Sequence, residues 1–172
     1  RSFLYENIKI NDVNNAVKVY ECALSNEDSE STFHINPWND GGGGIVDTGL
    51  AADGSKTASL SSLKNNTLTF ATRTRRLDDI VSEHLEDSPS DQPDVSIVKI
   101  DVEGAELSVL EGSKELIAGD LTRYHPAFLV EMSLDIGKAF EVFQLTGYIC
   151  FDTVTQTIVE DSNSIQLGAN ML

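Results

Sequence analysis

The residues best able to do chemistry in this chain stand where apolar runs end. Val95-Ser96-Ile97-Val98-Lys99-Ile100 leads directly into Asp101-Val102-Glu103-Gly104-Ala105-Glu106, and Ala127-Phe128-Leu129-Val130 leads into Glu131. A carboxylate that closes an otherwise apolar strand has to be solvated, paired or used. Two of them on neighbouring strand ends raise one another's proton affinity, which makes a base, a cation ligand or a partner for a substrate hydroxyl available. Ligands of open α/β sheets gather beyond the carboxyl ends of the strands. Asp101, Glu103 and Glu131 are therefore the candidate catalytic acids. Glu106, in the first turn of the following helix, reads as a solvated or helix-capping acid favoured there by unsatisfied N–H groups.

Other residue clusters carry less. His34, His84 and His125 lie far apart without metal-ligand spacing, and no metal site is expected. Gly41 to Gly44 fits neither GxGxxG nor GxxxxGK[ST] and reads as loop. Val46-Asp47-Thr48-Gly49 imitates a nucleotide-binding turn but lacks the flanking strand and helix. Trp38 reads as a tether packing its loop to the body. Arg73, Arg75 and Arg76 interrupt the prevailing acidity and are candidates for contact with a substrate anion. Cys22 and Cys150, the only cysteines, sit in apolar surroundings that suit reduced thiols and an intracellular setting.

The elements that must position these residues follow from pattern. Phe3, Leu4 and Ile8 are at helical spacing, and Asn11-Asp12 provides a stop. Alternating β-branched residues predict strands over 16–23, 31–35 and 67–74, with a short helix over 77–85. Residues 36–66 read as a long mobile loop with at most one short element, and 86–94 as a linker loop. The run over 95–100 is a strand covered on both faces. Behind it one helix places Leu107, Leu110, Lys114 and Ile117 on a stripe and stops at Gly119. A strand over 125–132 follows, then a helix with Ile136, Phe140, Phe143 and Gln144 on its stripe, then a hairpin or strand pair. Alternating strand and helix predicts an α/β fold, an open, mostly parallel sheet with helices on both faces, in a single domain spanning 1–172.

Composition narrows the partners. With 28 Asp plus Glu against 12 Lys plus Arg, the formal charge of −16 repels a phosphate backbone, so nucleic acid is not an expected partner. No apolar run approaches the roughly 20 residues that cross a bilayer, so no membrane insertion is expected. Neutral or cationic ligands suit the acidic strand ends better than anions.

The segment VSIVKIDVEGAELSVLEGSKELI, followed by PAFLVEMS, resembles the core of the FkbM family of S-adenosylmethionine-dependent methyltransferases. ENIKIND, VKVYECALSNEDSESTFHI and RRLDDIV are similar to that family's asparagine-ending helix, its third strand with the turn after it, and its short LDD helix. The resemblance implies a Rossmann-like, seven-stranded class I methyltransferase sheet, S-adenosylmethionine as methyl donor, and O-methylation of a hydroxyl on a sugar or natural product, a small-molecule or glycan acceptor. It also implies that Cys22, Ala23 and Leu24 lie beside the adenine, that Asp101 borders the methyl-donor pocket as catalytic carboxylate, that Glu103 shapes the same turn, and that Glu131 ends the next strand. The family's first two strands, with its glycine-rich turn and ribose-binding acid, would precede Arg1 and lie between the third and fourth strands. The 172-residue chain alone is thus expected to be an N-terminally truncated fragment that holds the donor weakly and is inactive.

Two other readings stay open. Asp101, Glu103 and Glu131 are hard oxygen donors that suit a divalent-cation-dependent hydrolase. The domain could also be a non-catalytic remnant that serves as a binding module.

Overall fold

The computed structural model describes residues 2–35, 43–46, 68–87, 95–102, 104–132, 135–161 and 170–171. Its order is α1 (Ser2–Ile10), β1 (Ala23–Leu24), β2 (Ser29–Ile35), β3 (Gly43–Val46), β4 (Leu68–Arg75), α2 (Leu77–Glu86), β5 (Ile97–Ile100), α3 (Glu106–Glu111), α4 (Lys114–Ala118), β6 (Ala127–Glu131), α5 (Ile136–Leu145), β7 (Phe151–Asp152), β8 (Thr157–Ile158) and β9 (Asn170–Met171). The expected alternation of helices and strands is present, but the strands form two mixed sheets among the described residues, where one mostly parallel sheet was expected.

The first sheet has the order β1-β4-β2-β3 and the second β5-β6-β9-β7-β8. Parallel pairing is confined to β1 with β4 and β5 with β6; the other ladders are antiparallel. Among the described residues β1 and β5 are each the outermost strand of their sheet.

Several local expectations change. The strand expected over 16–23 is reduced to Ala23–Leu24, because β4 offers parallel partners only at Thr74 and Arg75. β3 is the short element within 36–66; Gly43 and Gly44 pair with Ile35 and His34 in a ladder and are not loop. The remainder of that stretch, including Trp38 and Asp47 to Gly49, and residues 88–94 lie outside the described residues.

The single helix expected after Asp101 is two, broken at Gly112-Ser113. A Cβ on Gly112 would lie 2.1 Å from the Ser25 carbonyl oxygen, so the β1–β2 turn presses on the backbone there. The break also shifts the stripe. Val109, Leu110, Leu116 and Ile117 are buried, whereas Leu107 is half-buried and Lys114 exposed. In α5, Ala139, Phe140 and Phe143 are buried, Ile136 is half-buried and Gln144 is exposed.

The core lies between these helices and the second sheet. It joins Ile100, Val109, Leu110, Leu116, Ile117, Phe128, Val130, Met132, Phe140 and Phe143, and each large side chain so buried contributes about 1.5–3 kcal/mol. Tyr148 packs edge-on against Phe128 and Phe143, and its hydroxyl donates to the Pro126 carbonyl at 3.0 Å. Leu24 from β1 and Leu77 from α2 pack on the same core, so the two sheets share it.

Candidate active site

The β5–β6 register pairs Ile100 with Val130, so one step further along both strands stand Asp101 and Glu131. Alternation sets the faces. Ile100 and Val130 are buried, while Lys99, Asp101 and Glu131 are exposed on the other side. The Lys99 ammonium donates to Asp101 Oδ2 at 2.5 Å, with the Asp101 side chain 38% exposed. That hydrogen bond, the charge of Asp101 and the charge of Glu131 raise the Lys99 pKa above its ordinary value. The strand ends therefore present two carboxylates and one ammonium as a group. Glu103 lies outside the described residues.

Glu106 departs from the expectation of solvent exposure. It is 2% exposed, and its Oε1 accepts the Gly104 N–H at 2.8 Å. Gly104 has φ of 102°, a left-handed conformation that glycine adopts without the penalty of a side chain. The capping part of the expectation holds in altered form, because Glu106 reaches back and fixes the turn that leads from Asp101 into α3.

On the other sheet, Cys22, Ala23 and Leu24 are all half-buried, with Ala23 and Leu24 forming β1. The Ser25 N–H after them donates to the Arg75 carbonyl at 2.9 Å. Burial pushes the Cys22 thiol pKa up despite nearby Arg75. Cys22 and Cys150 are both free thiols, as expected.

Each of the three arginines is paired with carboxylates of this chain. Arg73 pairs with Asp28 at 2.9 Å, Arg75 makes a two-pronged pair with Glu83 at 2.6 and 3.1 Å, and Arg76 pairs with Asp78 at 2.7 Å and Glu115 at 3.3 Å. Of the histidines, His84 is exposed on helix α2 and His125 stacks edge-on against Tyr148 at 5.6 Å. Among the described residues no three His, Cys, Asp or Glu side chains converge as a metal site, and no helix is long and apolar enough to cross a membrane.

Two buried acids were missed from sequence. Asp78 is 1% exposed; its carboxylate accepts the backbone N–H groups of Glu115 at 3.1 Å and Leu116 at 2.9 Å, capping α4 from another element. Burial holds its pKa above the ordinary value, although those N–H groups and Arg76 pull the other way. Asp152, also 1% exposed, accepts the N–H groups of Val154 at 2.7 Å and Thr155 at 3.2 Å. Acids in a first helical turn or a hairpin are ordinarily exposed, and nothing in composition marks these two as buried. The one available signal was the Gly112-Ser113 pair, which marks a helix break; the Ser113 hydroxyl turns back to the Val109 carbonyl and leaves N–H groups of α4 to Asp78.

Comparison with known proteins gives a family match. The model of the methyltransferase FkbM domain matches residues 3–150. No curated protein and no solved structure matches the chain.

Proposed function

The chain belongs to the FkbM methyltransferase family, and from that premise we propose that it transfers a methyl group from S-adenosylmethionine to a hydroxyl of a sugar or natural product. The observation that carries this reading is the pair of carboxylates at the ends of parallel strands β5 and β6, with Lys99 beside them.

The residues present suit the donor. Cys22, Ala23 and Leu24 offer a half-buried, mainly apolar strand end for an adenine ring, and a protein of charge −16 favours a cationic sulfonium. When bound, the donor supplies a methyl group on positively charged sulfur. Asp101 would accept the proton of the acceptor's hydroxyl. Lys99 holds the Asp101 carboxylate by a hydrogen bond before the acceptor arrives. An ion pair this exposed contributes about 0–1 kcal/mol, so exchanging it for a hydroxyl contact costs little. Glu131 would orient the acceptor from the next strand. Orienting the acceptor hydroxyl would supply most of the acceleration. In this reading β1 and β5 flank the middle of a class I methyltransferase sheet.

The test is transfer of isotope-labelled methyl from S-adenosylmethionine to a panel of sugar and natural-product alcohols, in excess chelator, by the natural polypeptide that carries this chain. Turnover should persist in chelator and fall about 10²-fold or more in Asp101→Asn. Turnover that requires a divalent cation but not S-adenosylmethionine, or that ignores Asp101→Asn, would remove Asp101 from this role.

A further inference from the structure

α3 connects the two halves of the proposed site. Its amino end follows the Asp101 turn, and its carboxyl end rests on the β1–β2 turn, where Gly112 touches the Ser25 backbone. At six residues it is about 9 Å long, a span too short to bend appreciably.

Both ends are pinned by buried acids. At the amino end Glu106 holds the N–H of Gly104 at 2.8 Å. Near the carboxyl end Asp78 caps α4 through Glu115 and Leu116, while its own backbone N–H donates to the Gly112 carbonyl at 3.0 Å. The Asn26 side-chain amide donates to Glu111 at 3.0 Å alongside. Capping of α4 by a residue from α2 locks α2, the break at Gly112 and the β1–β2 turn into one unit. A carboxylate buried among backbone N–H groups is costly to disturb, because each loses its partner when the other moves.

Resting on the methyl-transfer reading, we infer that α3 is a strut that sets the separation between the Cys22–Leu24 strand end and Asp101, and that Glu106 and Asp78 are positioning residues for the reaction. A displacement of about 1 Å at a reacting group can cost 10²-fold in rate, so a short helix fixed at both ends is a suitable spacer.

The experiment measures that separation directly. Spin labels are placed on Glu27→Cys, in the turn after β1, and Ile97→Cys, exposed on β5, in a Cys22→Ser, Cys150→Ala background. A single narrow distance is expected. Glu106→Ala and Asp78→Ala should broaden or shift it with helicity retained, whereas Glu106→Gln and Asp78→Asn, which keep a carbonyl acceptor, should stay close to the parent. Unchanged distances in folded alanine variants overturn the inference. If those variants do not fold, the exposed Asn26→Ala decides: broadening supports the strut and an unchanged distribution overturns it.

S-adenosylmethionine affinity, measured in parallel, separates the two ideas. Alanine variants that broaden the distance should weaken binding about tenfold beyond a Val159→Ala control of matched thermal stability. Broadening without donor binding even in the unmutated natural polypeptide that carries this chain retires the methyl-transfer reading and leaves the strut standing. Normal binding with unchanged distances retires the strut.

Discussion

Asp101 and Glu131 were legible because each ends an apolar run, and the β5–β6 register brings them side by side. Their companion Lys99 was less legible, because its 2.5 Å contact with Asp101 joins residues two apart, which a residue-type reading passes over. Asp152 was not legible, since nothing in GYICFDTV says that the aspartate will be enclosed by its own hairpin. Burial alone raises its pKa, but the Val154 and Thr155 N–H groups and the Thr155 hydroxyl outweigh that and leave it below the ordinary value of 3.8. Glu83, hydrogen-bonded by Arg75, is likewise lowered. A lowered folded-state value means stabilisation that is complete above the unfolded value and lost as pH falls through the folded one. The melting temperature should therefore fall as the solution is acidified to and below 3.8. Asp152→Asn, whose amide oxygen still accepts the turn N–H groups, should show a shallower fall by calorimetry. Parallel acid limbs for the two proteins would contradict that assignment.

At the scale of elements, the helices and longer strands followed from periodicity, and the errors fall where a distant segment intervenes. The break between α3 and α4 is set by Ser25, far earlier in the chain, and by Asp78 on α2, so a window along the sequence saw one continuous helix. β1 is short for a related reason, since its extent depends on where β4 lies beside it. The helix expectation also carried a phase error, and Lys114 was placed on the buried stripe that Leu116 and Ile117 occupy. Gly112 is the position where these effects meet. Gly112→Ala drives a Cβ into the Ser25 carbonyl oxygen, and backbone cannot swing aside as a flexible side chain can. The expected loss is about 1–3 kcal/mol in urea unfolding. Stability equal to the unmutated protein would mean that the turn and the helix junction do not bear on one another.

At the scale of the molecule, family membership and the arrangement of strands concern the same question from two sides. The α/β alternation was readable, while the antiparallel pairing of β2 with β4 and of β9 with β6 was not, because pairing between strands is set by long-range contacts and not by pattern within a strand. The shared core, with Leu24 and Leu77 packed on residues beneath the second sheet, holds the two strand ends in one body. An excess of negative charge over the whole surface favours a cationic donor and a neutral acceptor. The central claim is that one ligand, S-adenosylmethionine, touches the end of β1 and the end of β5 together. Titration of the donor into the natural polypeptide, followed by backbone amide resonances, tests it most directly. The account predicts concerted, saturable shifts at Ala23, Leu24 and Asp101 to Gly104 with a single affinity; saturation that moves only one of these groups, or neither, would contradict it.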